Sequence, residues 1–122
     1  DMFDGTYLAQ PAMRVVEAQL KIVLKECEII PNVQYIKENH FDMFDKIGAK
    51  YRLKPDRYGK AKPDQIRYIG NIYTFYNTNR HRIEHWDDPT APLDTTEILD
   101  IERAHDLIKR ALAVIDEYYE TI

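Results

Sequence analysis

The stretch Asn77-Thr78-Asn79-Arg80-His81-Arg82-Ile83-Glu84-His85-Trp86-Asp87 brings two histidines, two arginines and two acids within eight positions. Histidine titrates near neutrality, so it can both take and give a proton. An arginine beside it can hold a phosphate through paired hydrogen bonds and stabilise the charge that builds up in phosphoryl transfer. Together these groups could cleave RNA without a metal. His85 would assist attack by the ribose 2'-hydroxyl or protonate the leaving oxygen, and Arg80 would bind the scissile phosphate.

Arg80 falls four residues after Tyr76 and three before Ile83, where the apolar stripe of its segment calls for a hydrophobic side chain. Burying a lone guanidinium is too costly, so the residue must be paired, hydrated at a cleft, or turned toward a partner chain. The bland alternative is a cation at a frayed helix end, snorkelling to solvent or paired with an acid of the last helix. Positions five apart on a regular helix point about 140° away from each other. For Arg80 and His85 to converge, the helix must end or distort near Glu84, or two copies of the chain must share the site.

His81 and His85 are also four apart, with Glu84, Asp87 and Asp88 close by, which would suit a metal. That reading lacks a second ligand pair. His40 and His105 sit on apolar stripes, where a hydrogen-bonded core histidine is expected, so no metal or cofactor is expected. Tyr73 and Tyr76 read as core or dimer interface rather than as base-stacking platforms. Lys60, Lys62, Arg67 and Arg82 are the candidates for RNA contact. Cys27 reads as a small buried apolar residue.

Four segments with apolar residues three and four apart must position these groups. In the first, with Pro11 at the first helical position, Met13, Val16, Leu20, Val23, Cys27 and Ile30 form a stripe that Pro31 ends. The second starts at Asn32, carries Val33, Ile36, His40, Met43 and Ile47, and ends near Gly48. Residues 51–62 read as a basic connecting loop. The third starts at Pro63 and carries Ile66, Ile69, Tyr73, Tyr76, Arg80 and Ile83. The fourth opens with Asp94 and Glu97 as a capping box and repeats Ile98, Ile101, His105, Ile108, Leu112, Ile115 and Tyr119. Leu107, Ala111, Val114 and Tyr118 make a second apolar face on it, as Ile72 and Phe75 do on the third. No alternating stretch is long enough to suggest a sheet. The fold class expected is all-α, an antiparallel bundle of four main helices in a single domain over residues 1–122. Two apolar faces per helix in so small a chain point to a homodimer.

The chain has 122 residues and a formal charge of -4. Counting side chains, residues 1–49 carry 5 basic and 8 acidic groups, residues 50–82 carry 9 and 2, and residues 83–122 carry 3 and 11. The net charges of the three blocks are therefore -3, +7 and -8. The basic middle can attract a polyanion, although it could equally neutralise the acidic last helix. One cysteine excludes an intrachain disulfide and a Cys-rich zinc module. No apolar run is long enough for a membrane span, and the first eight residues lack a signal-peptide pattern, so a cytoplasmic setting is expected. Opening on Asp1 rather than Met, the chain is expected to be trimmed or cut from a longer protein.

Arg80-His81-Arg82-Ile83-Glu84-His85 resembles the motif of the HEPN domains, helical bundles whose mark is an arginine, a polar residue after it, and a histidine five to seven positions on, at a helix end. The order of elements is similar too, with the motif closing the penultimate long helix before a loop and a long amphipathic last helix. The resemblance implies a metal-independent endoribonuclease of toxin-antitoxin, abortive-infection or other defence systems. Arg80 and His85 would be catalytic and His81 a supporting polar group, in a cleft shared by two protomers, with an antitoxin or other protein as a possible partner. The branch that pairs with minimal nucleotidyltransferases has a tyrosine two residues beyond the histidine, where this chain has Asp87. The alternative from another class is a non-catalytic helical interaction or nucleotide-binding module within a larger protein.

Overall fold

The computed structural model describes residues 6–37, 41–86 and 101–122, with side chains described at 10–37, 41–80 and 103–122. Helix α1, Thr6–Glu26, buries Met13, Val16, Leu20, Val23 and Leu24. It starts five residues before Pro11, which lies just past the first turn and forfeits one backbone bond there. Its end is set by backbone geometry rather than by Pro31. Glu28 adopts the left-handed conformation at φ 58, its N–H reaches the Lys25 carbonyl at 3.0 Å, and the Ile29 N–H reaches that of Leu24 at 2.9 Å. This is the Schellman arrangement, with Glu28 where glycine is usual.

The second helix expected from Asn32 to Gly48 is not formed. In its place come tight turns and an antiparallel hairpin, β1 Phe44–Ile47 and β2 Lys50–Leu53, joined by Gly48-Ala49. The Asn32 side chain accepts the Gln34 N–H at 3.0 Å and its carbonyl accepts the Tyr35 N–H at 3.1 Å, closing a turn that does not propagate. Asparagine bonding its own backbone in this way competes with helix. The spacing of Ile36 and Met43 is still used, because both are buried. The loop expected over 51–62 accordingly begins with a strand and a short 3₁₀ turn, Pro55–Arg57.

Helix α2, Pro63–Trp86, starts where the sequence predicts, with Gln65 accepting the Lys62 N–H at 2.8 Å as a cap. Helix α3 spans Ile101–Thr121. The expected start at Asp94 and Glu97, and His40, lie outside the described residues. On α3 the buried face is Ala104, Leu107, Ala111 and Tyr118, the second face rather than the heptad stripe. Leu112 and Tyr119 are exposed, and so is His105, which therefore is not a core histidine. Helix α1 packs against both α2 and α3, and β2 lies along α2.

The described residues thus hold three helices and a two-stranded sheet, a mostly helical fold instead of a bundle of four main helices. Cys27 is buried, as expected, and burial pushes its thiol up to about 11. Among the described residues no helix is long and apolar enough to cross a membrane.

Candidate functional site

The 3.6-residue period of α2 places Ile69, Ile72, Tyr73 and Tyr76 on its buried side, and Arg80 follows one turn after Tyr76. Arg80 is half-buried, and its guanidinium lies 5.7 Å from the centroid of the Tyr76 ring, within cation-π range. Tyr76 is only 2% exposed, so the ring is a fixed shelf. Its hydroxyl donates to Glu17 Oε1 at 3.1 Å, and the other oxygen of Glu17 accepts Lys21 Nζ at 2.7 Å. The arginine therefore stands over a chain of polar contacts that crosses from α2 to α1.

Glu17 also opens onto a surface cleft of about 560 Å³ lined by Arg14, Ala18, Lys21, Ile22 and Val33. With Arg14 and Lys21 flanking one carboxylate, the polar groups of the cleft are mainly cationic. The lining is mostly apolar and Lys21 is already paired with Glu17, so Arg14 supplies its remaining positive charge. Arg14, Glu17 and Lys21 were not singled out by sequence reasoning. Their signal is a line of charge at spacings of three and four on α1, beside the core stripe, which reads as an ordinary solvated face.

The aromatic residues near the motif are structural. Tyr73 stacks on Phe44 at 4.0 Å between centroids and meets the Tyr51 ring edge to face at 5.0 Å, while Phe41 touches Tyr73 and Tyr76. Tyr73 and Tyr76 are core, as expected, and offer no free face to a base. Burial pushes the Tyr73 phenol up, Tyr51 adds to the rise, and the Arg80 cation opposes it. Arg80 thus acts electrostatically on Tyr73 as well as standing over Tyr76.

The candidate RNA contacts are spread out. Lys60 pairs with Glu28 at 3.3 Å and Arg67 with Asp64 at 3.1 Å, both at the surface, and Lys62 is exposed at the start of α2. Arg67 precedes Arg80 by thirteen residues, about 20 Å along the helix axis. The side chains of His81, Arg82, Glu84 and His85, and all of Asp87 and Asp88, lie outside the described residues. The helix itself continues through Trp86, so positions 80 and 85 stand about 140° apart around one axis.

Comparison with known proteins matches residues 1–87 to a family model, RnlA-toxin DBD, described as RNase LS, bacterial toxin DBD domain. A relative from Escherichia coli strain K12, "mRNA endoribonuclease toxin LS", is 31% identical over 119 residues. The match takes in 98% of this chain and 32% of the relative, so the chain spans about a third of the length of that protein.

Proposed function

The chain belongs to the RnlA-toxin DBD family, and from that premise we propose that it is the ribonuclease domain of an endoribonuclease toxin, of HEPN type and independent of metal. Residues 1–122 form one domain in this reading. The observation that carries it is Arg80, a guanidinium half-buried over Tyr76 at the position where the helix stripe calls for an apolar group.

In the proposed reaction Arg80 holds the scissile phosphate and neutralises charge on its oxygens. His85 takes the proton from the ribose 2'-hydroxyl, or gives one to the leaving 5'-oxygen, with His81 as a supporting polar group. The 2'-oxygen forms a bond to phosphorus as the bond from phosphorus to the 5'-oxygen breaks. The products are a 2',3'-cyclic phosphate and a 5'-hydroxyl. Because α2 is helical through Trp86, Arg80 of one protomer works with His85 of a second copy across a dimeric cleft.

The exposed apolar side chains Val15, Leu112 and Tyr119 support a second copy. Val15 and Leu112 also line an apolar cleft of about 250 Å³ between α1 and α3. A toxin that cuts RNA in the cytoplasm needs restraint, so an antitoxin is the expected protein partner.

The test is incubation of the purified chain with RNA in EDTA. Cleavage leaving 2',3'-cyclic ends, and reduced at least about 100-fold in both Arg80→Ala and His85→Ala, is the expected result. Intact RNA with a folded dimer would favour the non-catalytic interaction module instead, and loss of activity on chelation would favour a metal enzyme.

A further inference from the structure

Four of the nine basic side chains of residues 50–82, Lys50, Arg52, Lys54 and Arg57, lie on the hairpin and the turn after it. Along β2 and its continuation the residues are Lys50, Tyr51, Arg52, Leu53 and Lys54, and the extended backbone alternates them strictly. Leu53 is buried and Tyr51 half-buried against α2, while Lys50 and Arg52 are exposed and Lys54 is half-buried. The three cations therefore form one row, with successive members about 7 Å apart. That spacing is on the scale of successive phosphates along an extended nucleic-acid strand.

None of the three makes an ion pair among the described residues, although Asp45 stands opposite Arg52 in the register. Other cations of the same island are paired, Arg57 with Asp42 at 3.6 Å and Lys60 with Glu28 at 3.3 Å. Like charges in a row repel one another, and among the described residues no ion pair offsets that repulsion.

The row is held rigidly on the helix that carries Arg80. The Tyr51 N–H donates to Thr74 Oγ1 at 2.9 Å, the Tyr51 hydroxyl accepts Asn77 Nδ2 at 3.0 Å, and the Tyr51 ring meets Tyr73. Gly70 permits this approach, because a Cβ there would come within 3.0 Å of the Tyr51 carbonyl oxygen. Asn77 precedes Arg80 by less than one helical turn. The hairpin row is thus fixed much closer to Arg80 along α2 than are Lys62 and Arg67 at the start of the helix.

We propose that Lys50, Arg52 and Lys54, on the hairpin face turned away from α2, form a docking row for the sugar-phosphate backbone of single-stranded RNA alongside the helix that carries Arg80. The proposal rests on the ribonuclease reading of that site. Charge on an exposed strand, lysine above all, also blocks pairing with other chains, and the RNA salt series separates the two roles, because edge protection gives no phosphate contacts to lose.

The experiment measures binding of a fluorescent 2'-O-methyl RNA 20-mer, which lacks the attacking hydroxyl, across a salt series. In Lys50→Ala/Arg52→Ala/Lys54→Ala the slope of log affinity against log salt falls by about 2, at roughly 0.7 per lost contact, and affinity at low salt drops at least tenfold. Lys50→Glu/Arg52→Glu/Lys54→Glu drops it further, while Lys25→Ala/Lys37→Ala, exposed cations elsewhere, leaves the slope as it was. Circular dichroism confirms that the variants keep their helices. Wild-type binding with the same slope in all variants overturns the docking row and leaves the ribonuclease reading standing. That outcome would direct the row to another partner, such as an acidic protein surface. A wild-type chain that neither binds nor cleaves RNA overturns both.

Discussion

Tyr76 and Glu17 hydrogen bond at 3.1 Å across the seam between α2 and α1, with the guanidinium of Arg80 5.7 Å above the same tyrosine ring. The phenol ties the shelf under the cation to a carboxylate that Lys21 also holds. Removing any one of these groups changes the field and the footing at Arg80.

Tyr76→Phe keeps the ring and removes the bond to Glu17. It is expected to lower stability by about 1.5–3 kcal/mol in urea unfolding, the usual value of a hydrogen bond to a charged group. Arg80→Lys keeps the charge and loses the planar fork, so RNA cleavage falls by about 100-fold with little change in unfolding midpoint. Equal cleavage by Arg80→Lys would mean that the arginine supplies only charge.

Stability is expected to fall in alkali. Burial raises Tyr68 to about 12 and Cys27 to about 11, above their ordinary values of 10.0 and 9.0. A raised pKa means that the folded chain keeps a proton the unfolded chain gives up. The stabilisation is complete below pH 9 and is lost as pH climbs toward 11 and 12, by on the order of 2 kcal/mol per group. Thermal melts between pH 8 and pH 12 measure this, and Cys27→Ala should flatten the lower part of the decline. A melting temperature constant to pH 12 would contradict the burial of both groups.

The junction of α1 with the basic turn sets two opposite outcomes. A Cβ on Gly59, at φ +57, would stand 2.5 Å from the Cys27 carbonyl oxygen, which also accepts the Lys60 N–H at 2.7 Å. Gly59→Ala should therefore cost more than about 2 kcal/mol. Glu28→Gly relieves a left-handed residue and should add about 1 kcal/mol, despite losing the exposed pair with Lys60. Denaturant midpoints of the two variants should move in opposite directions.

The second copy can be tested away from the site. Leu112 is 54% exposed on α3 beside Val15 of α1. Leu112→Glu is expected to convert a dimer into monomers in sedimentation equilibrium and to reduce RNA cleavage in parallel, with the helical content unchanged. Dimers that persist in this variant would move the interface to another face.

Three helical segments are legible in the sequence because their apolar residues recur over many turns, as Met13 to Val23 do on α1 and Ile69 to Tyr76 on α2. The hairpin is not. Lys50-Tyr51-Arg52-Leu53 alternates for only four residues, too short to outweigh the apparent helical spacing of Val33, Ile36, Met43 and Ile47. On α3 two apolar faces compete in the sequence, and burial falls on Ala104, Leu107, Ala111 and Tyr118, the face that packing against the rest of the fold selects.

By itself the sequence determined that Arg80 is out of place on an apolar stripe and that histidines at 81 and 85 share its helix. Periodicity and residue chemistry are local properties, and local properties are written in order along the chain. Only the tertiary structure decided what lies beneath that arginine, because Tyr76, Glu17 and Lys21 come from two helices that meet by packing. The same holds for Tyr51, which ties the row of cations to α2 through Thr74 and Asn77, more than twenty residues away in the chain. Contacts of that range depend on which faces are buried against each other, and spacing along one segment carries no record of them.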